Sequence, residues 1–219
     1  MRIRIGSRGS ALARWQAGHV RACLEALGHE VAVRTIVTTG DRVLDAPLDG
    51  VGGKGAFLKE IEEALLAEDV DLAVHSLKDV PTSLPPGLLL AGLLPRDDPR
   101  DALLSTSGKG LQGLPRGARI GTTSLRRRAQ LLALRPDFLI TSLRGNVDTR
   151  IRKLRAGECD AVVLALAGLR RLGRAQEATE ILEPETVLPA PGQGVIALEC
   201  RAADEATRAA AAALDHAPT

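Results

Sequence analysis

The sequence is poor in aromatic residues and in cysteine, and each shortage excludes a class of protein. It has two Phe, one Trp and no Tyr among 219 residues, which leaves almost no surface on which nucleic-acid bases could stack. Its three cysteines, Cys23, Cys159 and Cys200, lie far apart and form no CxxC pair. That pattern predicts neither a disulfide framework nor a cysteine-bound metal. We therefore expect no nucleic-acid partner, no metal, and a reducing, cytoplasmic location.

The sequence also lacks a long hydrophobic run. No apolar segment approaches the roughly 20 residues that a membrane-spanning helix needs. The chain begins Met1-Arg2-Ile3-Arg4-Ile5, which has the alternation of a strand and not the apolar core of a signal peptide. We therefore expect neither a membrane partner nor a secretory leader.

Positive charge is concentrated in one part of a nearly neutral chain. The whole sequence carries a net charge of +2, and 24 of its 29 basic residues are Arg. Residues 116–155 alone contain ten Arg and one Lys against two Asp, a net charge of +9. Such a block indicates an anionic partner at one place, although a solvated helical face would give the same count.

Short apolar segments alternate with longer amphipathic ones, which is typical of an α/β fold with mostly parallel strands. The spacing predicts strands at residues 3–5, 31–37, 72–74, 88–94, 138–142, 160–166 and 195–199. It predicts helices at residues 10–27, 57–66, 124–134, 147–156 and 203–214. A second alternation begins at Arg119, and the proline-bracketed segment 95–100 is the expected domain boundary.

A glycine-rich segment, Gly50-Val51-Gly52-Gly53-Lys54-Gly55, precedes one of the predicted helices. It fails the P-loop pattern because Lys54 is followed by Gly and not by Ser or Thr, and it lacks the dinucleotide spacing. We interpret it as a flexible loop that carries one cation towards a ligand. A simple mobile connection is the alternative.

Two predicted strand-to-helix junctions carry hydroxyl and guanidinium groups. Arg8 and Ser10 follow the first strand, and Gly121-Thr122-Thr123-Ser124-Leu125-Arg126-Arg127 lies at the second junction. Free backbone N–H groups and the positive end of a helix dipole suit such a junction to a carboxylate or a phosphate. An ordinary helix cap with a solvent-facing arginine is the alternative.

The segment His75-Ser76-Leu77-Lys78-Asp79-Val80-Pro81 leaves a predicted buried strand and is stopped by proline. An Asp in a water-poor cleft beside cations is suited to accept an N–H hydrogen bond and to stabilise a positive intermediate. An exposed Lys78–Asp79 pair would contribute little. His75 is as compatible with a structural role as with a catalytic one.

Three further arginines, Arg144, Arg150 and Arg171, occupy similar positions at strand ends or helix starts. Guanidinium groups bind carboxylates in bidentate fashion and remain charged. A cluster of them therefore favours a ligand with several carboxylates.

Read together, these segments resemble the porphobilinogen deaminase (hydroxymethylbilane synthase) family. The matching segments follow the family's order through the chain. They are residues 7–13 with Trp15-Gln16, 51–57, 75–81, 96–102, 121–127, 142–147 and 188–194.

The resemblance implies an α/β fold of two periplasmic-binding-protein-like domains, with mixed, mainly parallel sheets and a cleft between them. Domain 1 would comprise residues 1–94 and 195–214, and domain 2 residues 100–189. The implied reaction is the deamination of four porphobilinogen molecules and their head-to-tail joining to hydroxymethylbilane. The family primes this reaction with a covalently bound dipyrromethane cofactor, and the expected protein is a monomer whose partner is the small pyrrole substrate.

The resemblance also implies roles for individual residues. Asp79 matches the family's catalytic aspartate, which hydrogen-bonds pyrrole N–H groups and stabilises the azafulvene cation, and Lys78 is placed beside it. The positions that hold the cofactor are Lys78, Asp79, Thr122, Thr123, Ser124, Arg126 and Arg127. Those assigned to the incoming or growing pyrrole chain are Arg8, Ser10, Arg144, Arg150 and Arg171. Lys54 and Phe57 match the active-site loop.

One feature of the family has no counterpart in the sequence. Its members attach the cofactor through a cysteine in a Gly-Gly-Cys setting of a third, C-terminal domain, and none of Cys23, Cys159 and Cys200 has that setting. We therefore expect this chain to bind pyrrole carboxylates without turning over by itself. The alternative from another class is a non-catalytic, two-lobed module that binds a poly-carboxylate anion.

Overall fold

The computed structural model describes residues 1–42 and 58–219. The chain forms two compact units, Met1–Asp97 with Val195–Thr219, and Asp98–Gly194. Lys54 and Phe57, which the resemblance places in an active-site loop, lie outside the described residues.

Strands and helices alternate along most of the described chain. The strands are β1 (Arg2–Ser7), β2 (Glu30–Thr35), β3 (Leu72–Ser76), β4 (Leu88–Leu93), β5 (Asp101–Ser105), β6 (Arg119–Gly121), β7 (Leu139–Thr141), β8 (Ala161–Ala165), β9 (Glu180–Leu182) and β10 (Ile196–Arg201). The helices are α1 (Ala11–Ala26), α2 (Thr39–Arg42), α3 (Lys59–Leu66), α4 (Leu125–Leu134), α5 (Val147–Arg155), α6 (Leu166–Arg171) and α7 (Glu205–Ala212). Single 3₁₀ turns lie at Leu77–Asp79, Leu111–Gly113 and Ala175–Glu177.

The two units contain sheets of the same topology. The first sheet has the order β2-β1-β3-β10-β4 and the second the order β7-β6-β8-β5-β9. In each, the first three strands are parallel and the last two pair antiparallel. The expected mixed α/β fold is thus confirmed, with parallel and antiparallel pairs equal in number.

Both sheets bury side chains on two faces, as expected for strands covered by helices. In the first unit, Val20 and Leu24 of α1 pack with Leu72 on one face, while Ile61 of α3 packs with Ala73 on the other. In the second unit, α4 covers one face of the sheet and α5 with α6 the opposite one. Each unit is therefore a three-layer α/β/α arrangement with its own core.

The sequence pattern does not predict two strands of the second sheet, β5 and β9. β5 begins with Asp101, a charged residue that is 0% exposed, and β9 has only three residues. A buried charge interrupts the apolar run by which a strand is recognised, and a three-residue edge strand is too short to show a period. The second alternation therefore starts at β5 and not at Arg119.

The helix α1 buries a different stripe from the one that its large apolar residues suggest. Trp15 is 40% exposed and Leu27 is 49% exposed, whereas Gln16, Ala17, Val20 and Leu24 are buried. The Trp15 ring instead stacks on His19, with ring centroids 5.3 Å apart.

No helix in residues 1–42 and 58–219 is long and apolar enough to cross a membrane.

Candidate functional site

The first unit contains a small pocket at the carboxyl ends of β1 and β3. Its volume is ≈ 80 Å³, and its polar lining consists of Arg8, Ser10, Gln16, His75, Ser76 and Asp79. Since β1 and β3 are parallel neighbours, the segments that follow them emerge at the same edge of the sheet. The pocket thus joins two segments that lie about 70 residues apart in the sequence.

Local structure fixes the residues on the β1 side of the pocket. Ser10 is the N-cap of α1, and its hydroxyl oxygen accepts a hydrogen bond from the backbone N–H of Ala13 at 3.3 Å. The same hydroxyl keeps its own O–H as a donor. The buried Gln16, one turn further along α1, donates from Nε2 to Ser76 Oγ at 2.9 Å. The helix is thereby tied to the end of β3.

A 3₁₀ turn, Leu77–Asp79, presents Lys78 and Asp79 directly after β3. The turn is closed by the backbone N–H of Val80, which donates to Leu77 O at 3.0 Å, and Pro81 follows. Asp79 is exposed and Lys78 is half-buried. Of the two predicted catalytic residues, Asp79 lines the pocket and Lys78 precedes it on the same turn.

Behind this pocket lies a buried pair of titratable side chains. His75 Nε2 is 2.8 Å from Glu199 Oε2, and the two side chains are 5% and 0% exposed. Glu199 lies on β10, two residues beyond Ala197, which pairs with His75 across the two strands. The two side chains therefore share one face of the sheet.

In the second unit, the junction between β6 and α4 holds the predicted threonine and serine residues. The backbone N–H of Thr122 donates to Thr141 O at 2.9 Å, and Thr122 Oγ1 accepts from Ser124 N at 3.1 Å. Ser124 is the N-cap of α4 and accepts from Arg127 N at 3.4 Å. Thr122 is buried, whereas Thr123 and Ser124 are half-buried, so the latter two face the solvent-accessible side of the junction.

The approach to this junction requires a glycine. A Cβ on Gly121 would lie 2.8 Å from Leu143 Cδ2 and 3.0 Å from Cys159 Sγ. Real Cβ atoms do not come so close to their neighbours. Gly121 therefore lets the end of β6 pass directly beneath the turn that carries Leu143.

Arg126 and Arg127 both bind the buried carboxylate of Asp101. Arg126 Nη2 donates to Asp101 Oδ2 at 2.8 Å, and Arg127 binds in bidentate fashion from Nε at 3.1 Å and Nη2 at 2.6 Å. Gln193 Nε2 adds a fourth donor to Asp101 at 2.9 Å. Burial alone would raise the pKa of Asp101, but the hydrogen bonds from Arg127 and Arg126 outweigh it and lower that pKa.

The structure gives Arg127 a different surrounding from the one that a ligand-binding residue needs. Its side chain is 7% exposed, and its remaining nitrogen, Nη1, donates to Val163 O at 2.9 Å. All three guanidinium nitrogens thus bind protein oxygens inside the unit. Arg126 also donates to protein oxygens, from Nη1 to Leu188 O and from Nη2 to Asp101, but its side chain is 23% exposed and is the more accessible of the two.

The other predicted arginines lie in the segments that follow the neighbouring parallel strands β7 and β8. Arg144 and Arg150 are half-buried in the β7–α5 segment, and Arg150 Nε donates to Gly145 O at 2.8 Å. Gly145 has φ +115°, a value that L-residues rarely adopt. Arg171, at the end of α6, donates to Gly194 O. Together with Arg126, these residues place cations in the segments that follow each of the three parallel strands of the sheet.

Sequence reasoning missed Asp101, Gln193 and Glu199, which organise the buried parts of these two sites. Each is charged or polar and almost fully buried, and each contacts residues that lie 25 to 124 positions away. The burial of Arg127 could have been predicted from the sequence, because Arg127 lies four residues before Leu131 and so shares the buried face of α4 with it.

Two of the three cysteines, Cys159 and Cys200, are poorly placed for covalent attachment of a ligand. Burial raises the pKa of the Cys200 thiol to about 11, and burial also raises the pKa of Cys159. The thiolate, and not the thiol, is the nucleophile. Cys23 is half-buried on α1, with its sulfur 3.9 Å from His19 Nε2. Among residues 1–42 and 58–219, no group of three His, Cys, Asp or Glu side chains could hold a metal ion.

Comparison with solved structures confirms the fold of the two units. The methionine-binding protein MetQ covers 97% of this chain, with 89% of its own length, at a TM-score of 0.60 and 15% identity. The lipoprotein Tp32 of Treponema pallidum covers the same shares at a TM-score of 0.58 and 13% identity. At such low identity the likeness concerns the fold alone, which is that of the periplasmic binding proteins.

Comparison with known sequences identifies the family as well as the fold. Residues 3–209 match the family model described as "Porphobilinogen deaminase, dipyromethane cofactor binding domain". The porphobilinogen deaminase of Syntrophobacter fumaroxidans is 54% identical over 94% of this chain and 67% of the relative. That of Nitratidesulfovibrio vulgaris strain Hildenborough is 55% identical over 98% of this chain and 69% of the relative. The chain belongs to the porphobilinogen deaminase family.

Proposed function

We propose that this chain carries the substrate-binding and catalytic groups of a hydroxymethylbilane synthase, a transferase of tetrapyrrole (haem) biosynthesis. The reaction removes ammonia from each of four porphobilinogen molecules and joins them head to tail. The observation that carries the proposal is the pocket of the first unit, which brings the carboxylate of Asp79 next to Arg8 and Ser10. A pyrrole that bears an acetate and a propionate offers both complementary groups, a ring N–H and carboxylates.

Asp79 supplies the negative charge in this pocket. In each addition, the C–N bond of the aminomethyl group breaks and its electron pair leaves with nitrogen as ammonia. The pyrrole that remains is positively charged, and its ring N–H is a hydrogen-bond donor. A fixed carboxylate such as Asp79 binds that N–H and stabilises the positive charge as it develops.

Arg8 and Ser10 bind the substrate's carboxylates in the first unit, according to this proposal. The guanidinium of Arg8 offers a bidentate partner, and Ser10 offers its hydroxyl proton at the positive end of the α1 dipole. Lys78, on the turn before Asp79, adds a second cation to the same edge of the sheet.

The second unit offers sites for further carboxylates. Thr123, Ser124 and Arg126 surround the N-terminus of α4, and Arg144, Arg150 and Arg171 lie at the neighbouring strand ends. We assign Arg127 to a positioning role because its guanidinium is occupied by Asp101 and Val163 O. Thr122 has a similar role, since its hydroxyl already accepts a hydrogen bond from the backbone of the turn.

Each unit by itself contains donor types that fit the groups of a dipyrromethane cofactor. Such a group carries two ring N–H donors and four carboxylates, and when bound it provides the end of the chain to which pyrroles are added. In the first unit, Asp79 would accept from N–H groups and Lys78 would bind a carboxylate. In the second unit, Thr123, Ser124 and Arg126 would be suited to bind carboxylates. Because the thiols of Cys159 and Cys200 are buried and have raised pKa values, we propose that neither of them attaches the cofactor.

We further propose that the protein acts as a monomer in the cytoplasm. The support is its resemblance to the family and the presence of three free cysteines, which fits a reducing compartment.

Asp79→Asn in the intact protein tests the proposal. We expect ammonia release from porphobilinogen to fall by about 10²–10³-fold, with the fold retained, because an amide cannot provide the negative charge. Asp69→Asn is the matched control, since Asp69 is exposed and is paired with Arg34 at 3.4 Å. Turnover of Asp79→Asn within twofold of the wild type would remove Asp79 from this role. Binding of porphobilinogen without any ammonia release by the wild type would favour the non-catalytic binding module.

A further inference from the structure

Three titratable side chains meet between the first sheet and α3. His75 and Glu199 form the 2.8 Å contact between β3 and β10, on the face that α3 covers. Glu62 of α3 lies close enough to interact electrostatically with both Glu199 and His75. We call these three residues the acid–histidine cluster.

Two carboxylate oxygens of the cluster are buried without a hydrogen bond to any described residue. Glu199 Oε1 and Glu62 Oε1 are both buried and have no hydrogen-bond partner among the described residues. Glu199 is fully buried, and Glu62 is half-buried with one buried oxygen. Two like charges in such surroundings raise each other's cost of ionisation, and a proton on one of the carboxyl groups lowers that cost.

The charges confirm this direction for Glu62. Burial, and after it the charge of Glu199, raise the pKa of Glu62 above its usual range, while His75 acts in the opposite sense. The pKa of Glu62 therefore responds to the charges of both Glu199 and His75.

His75 connects the cluster to the pocket. It lines the pocket together with Arg8 and Asp79, and its Nε2 contacts Glu199 on the interior side. The charged groups around it are thus Arg8 and Asp79 on the pocket side, Glu199 from β10 and Glu62 from α3. The uncharged Gln16 is the contribution of α1 to the same lining.

We propose that the acid–histidine cluster is a proton-exchange site, in which His75 takes up the proton that a pyrrole ring carbon loses when it forms its new bond. Glu199 holds the imidazole and Glu62 adjusts the charge of the pair, so both are positioning residues. This inference rests on the proposed function, because it assigns a proton acceptor to that reaction.

The step is balanced without a further reactant. The substrate enters with its aminomethyl group as an ammonium, and the C–N electron pair leaves with nitrogen as ammonia. The ring carbon of the growing chain forms the new C–C bond, and its hydrogen leaves as a proton to His75. That proton then passes to the released ammonia, which departs as ammonium, and His75 returns to its starting state.

The first experiment measures the coupling and needs no substrate. Carbon-13 NMR of the 219-residue chain follows the titration of the Glu62 carboxyl in the wild type, Glu199→Gln and His75→Gln. We expect Glu199→Gln to lower the pKa of Glu62 and His75→Gln to raise it further, because each substitution removes one of the two charges that act on it. His19→Gln is the control, since His19 is exposed on α1. A Glu62 titration that is the same in all four proteins would overturn the cluster.

The second experiment measures the role in the reaction. In the intact protein, His75→Gln is expected to lower kcat for ammonia release by about 10²-fold or more, with KM within a few-fold of the wild type. The ratio of wild-type to His75→Gln kcat should also change with pH, because only the wild type has the cluster's proton acceptor. The His19→Gln control should match the wild type.

The outcomes separate the two proposals. Ammonia release by His75→Gln at the wild-type rate and with the wild-type pH profile would overturn the proton-exchange role while leaving the proposed function in place. Absence of ammonia release from the wild type would instead overturn the proposed function. A loss in His75→Gln that appears only in KM, with kcat unchanged, would assign His75 to binding and would also overturn proton exchange.

Discussion

Among the described residues, each unit has one completely buried carboxylate, on the fourth strand of its sheet, and the two carboxylates have different hydrogen-bond partners. Glu199 on β10 and Asp101 on β5 are both 0% exposed. Asp101 opens β5, opposite Ala165 at the end of β8. Glu199 is the fourth of the six residues of β10 and lies opposite Ala73 of β3. The fourth strand of each sheet therefore carries a buried acidic residue, but at a different point along the strand and in different surroundings.

The difference lies in the donors that surround each carboxylate. Asp101 accepts four hydrogen bonds, three of them from the permanently charged Arg126 and Arg127. Glu199 accepts one, from His75, and its other oxygen has no partner among the described residues. The four donors hold Asp101 in the ionised state, and they lower its pKa, whereas Glu199 has one histidine contact and a second carboxylate within electrostatic range. Under our proposal, the charge of Asp101 therefore has a structural role, and Glu199 positions a group that takes part in the reaction.

Asp101→Asn should have the largest effect on stability. The substitution leaves Arg127 inside the second unit without its counter-charge, and the new amide nitrogen faces guanidinium donors. Loss of one partner of a buried ion pair typically costs about 3–5 kcal/mol. We expect the free energy of unfolding at pH 7, measured by urea denaturation, to fall by about that amount.

The pH dependence of this loss follows from the lowered pKa of Asp101. A lowered pKa contributes stability that is present above the unfolded value of about 3.9 and is lost as the pH falls through the folded value. The difference between Asp101→Asn and the wild type should therefore shrink below about pH 4. Asp148→Asn, at a surface ion pair with Arg174, is the control and should change stability by about 1 kcal/mol or less. An Asp101→Asn protein as stable as this control at pH 7 would contradict the structural role.

Glu199→Gln should cost much less than Asp101→Asn, although the two residues are equally buried. The amide oxygen can still accept from His75, and the substitution removes a charge whose second oxygen lacks a partner. We expect a change of about 1 kcal/mol in the free energy of unfolding, measured by the same urea titration. A loss as large as that of Asp101→Asn would erase the distinction between the two carboxylates.

Much of each site could be predicted from the sequence because it depends on local chemistry. Ser10 and Ser124 cap α1 and α4 as their positions before helical patterns predict. The turn that carries Asp79 follows from a short apolar strand and the proline after it. Strand ends, caps and turns are set by neighbours in the chain, so one sequence contains the information.

The buried charges could not be predicted in this way, because their partners are distant in the chain. Glu199 meets His75 across 124 residues, and Asp101 meets Arg127 across 26. Adjacent residues can also differ in role, as Arg126 and Arg127 do. A helix turns by about 100° per residue, so Arg127 faces inward with Leu131 while Arg126 lies nearer the surface.

The smallest expected effect is a gain in stability in Glu62→Gln. The raised pKa of Glu62 means that its contribution to stability is fully present below the unfolded value of about 4.3 and is lost as the pH rises through the folded value. Gln carries no charge and suffers no such loss. Urea denaturation should therefore show Glu62→Gln to be more stable than the wild type at pH 8 and equal to it at pH 4.

Glu63→Gln is the matched control for this gain, because Glu63 is the next residue of α3, exposed and 3.9 Å from Lys59. Removing its carboxylate breaks only a surface pair, so it should give no gain at pH 8. Equal stability of Glu62→Gln and the wild type at pH 8 would mean that Glu62 ionises without cost. The acid–histidine cluster would then be a fixed ion pair like that of Asp101, and the two units would not differ in the way that the proposal requires. A gain at pH 8 that is seen only in Glu62→Gln would instead show that ionisation of Glu62 costs stability, as its raised pKa predicts.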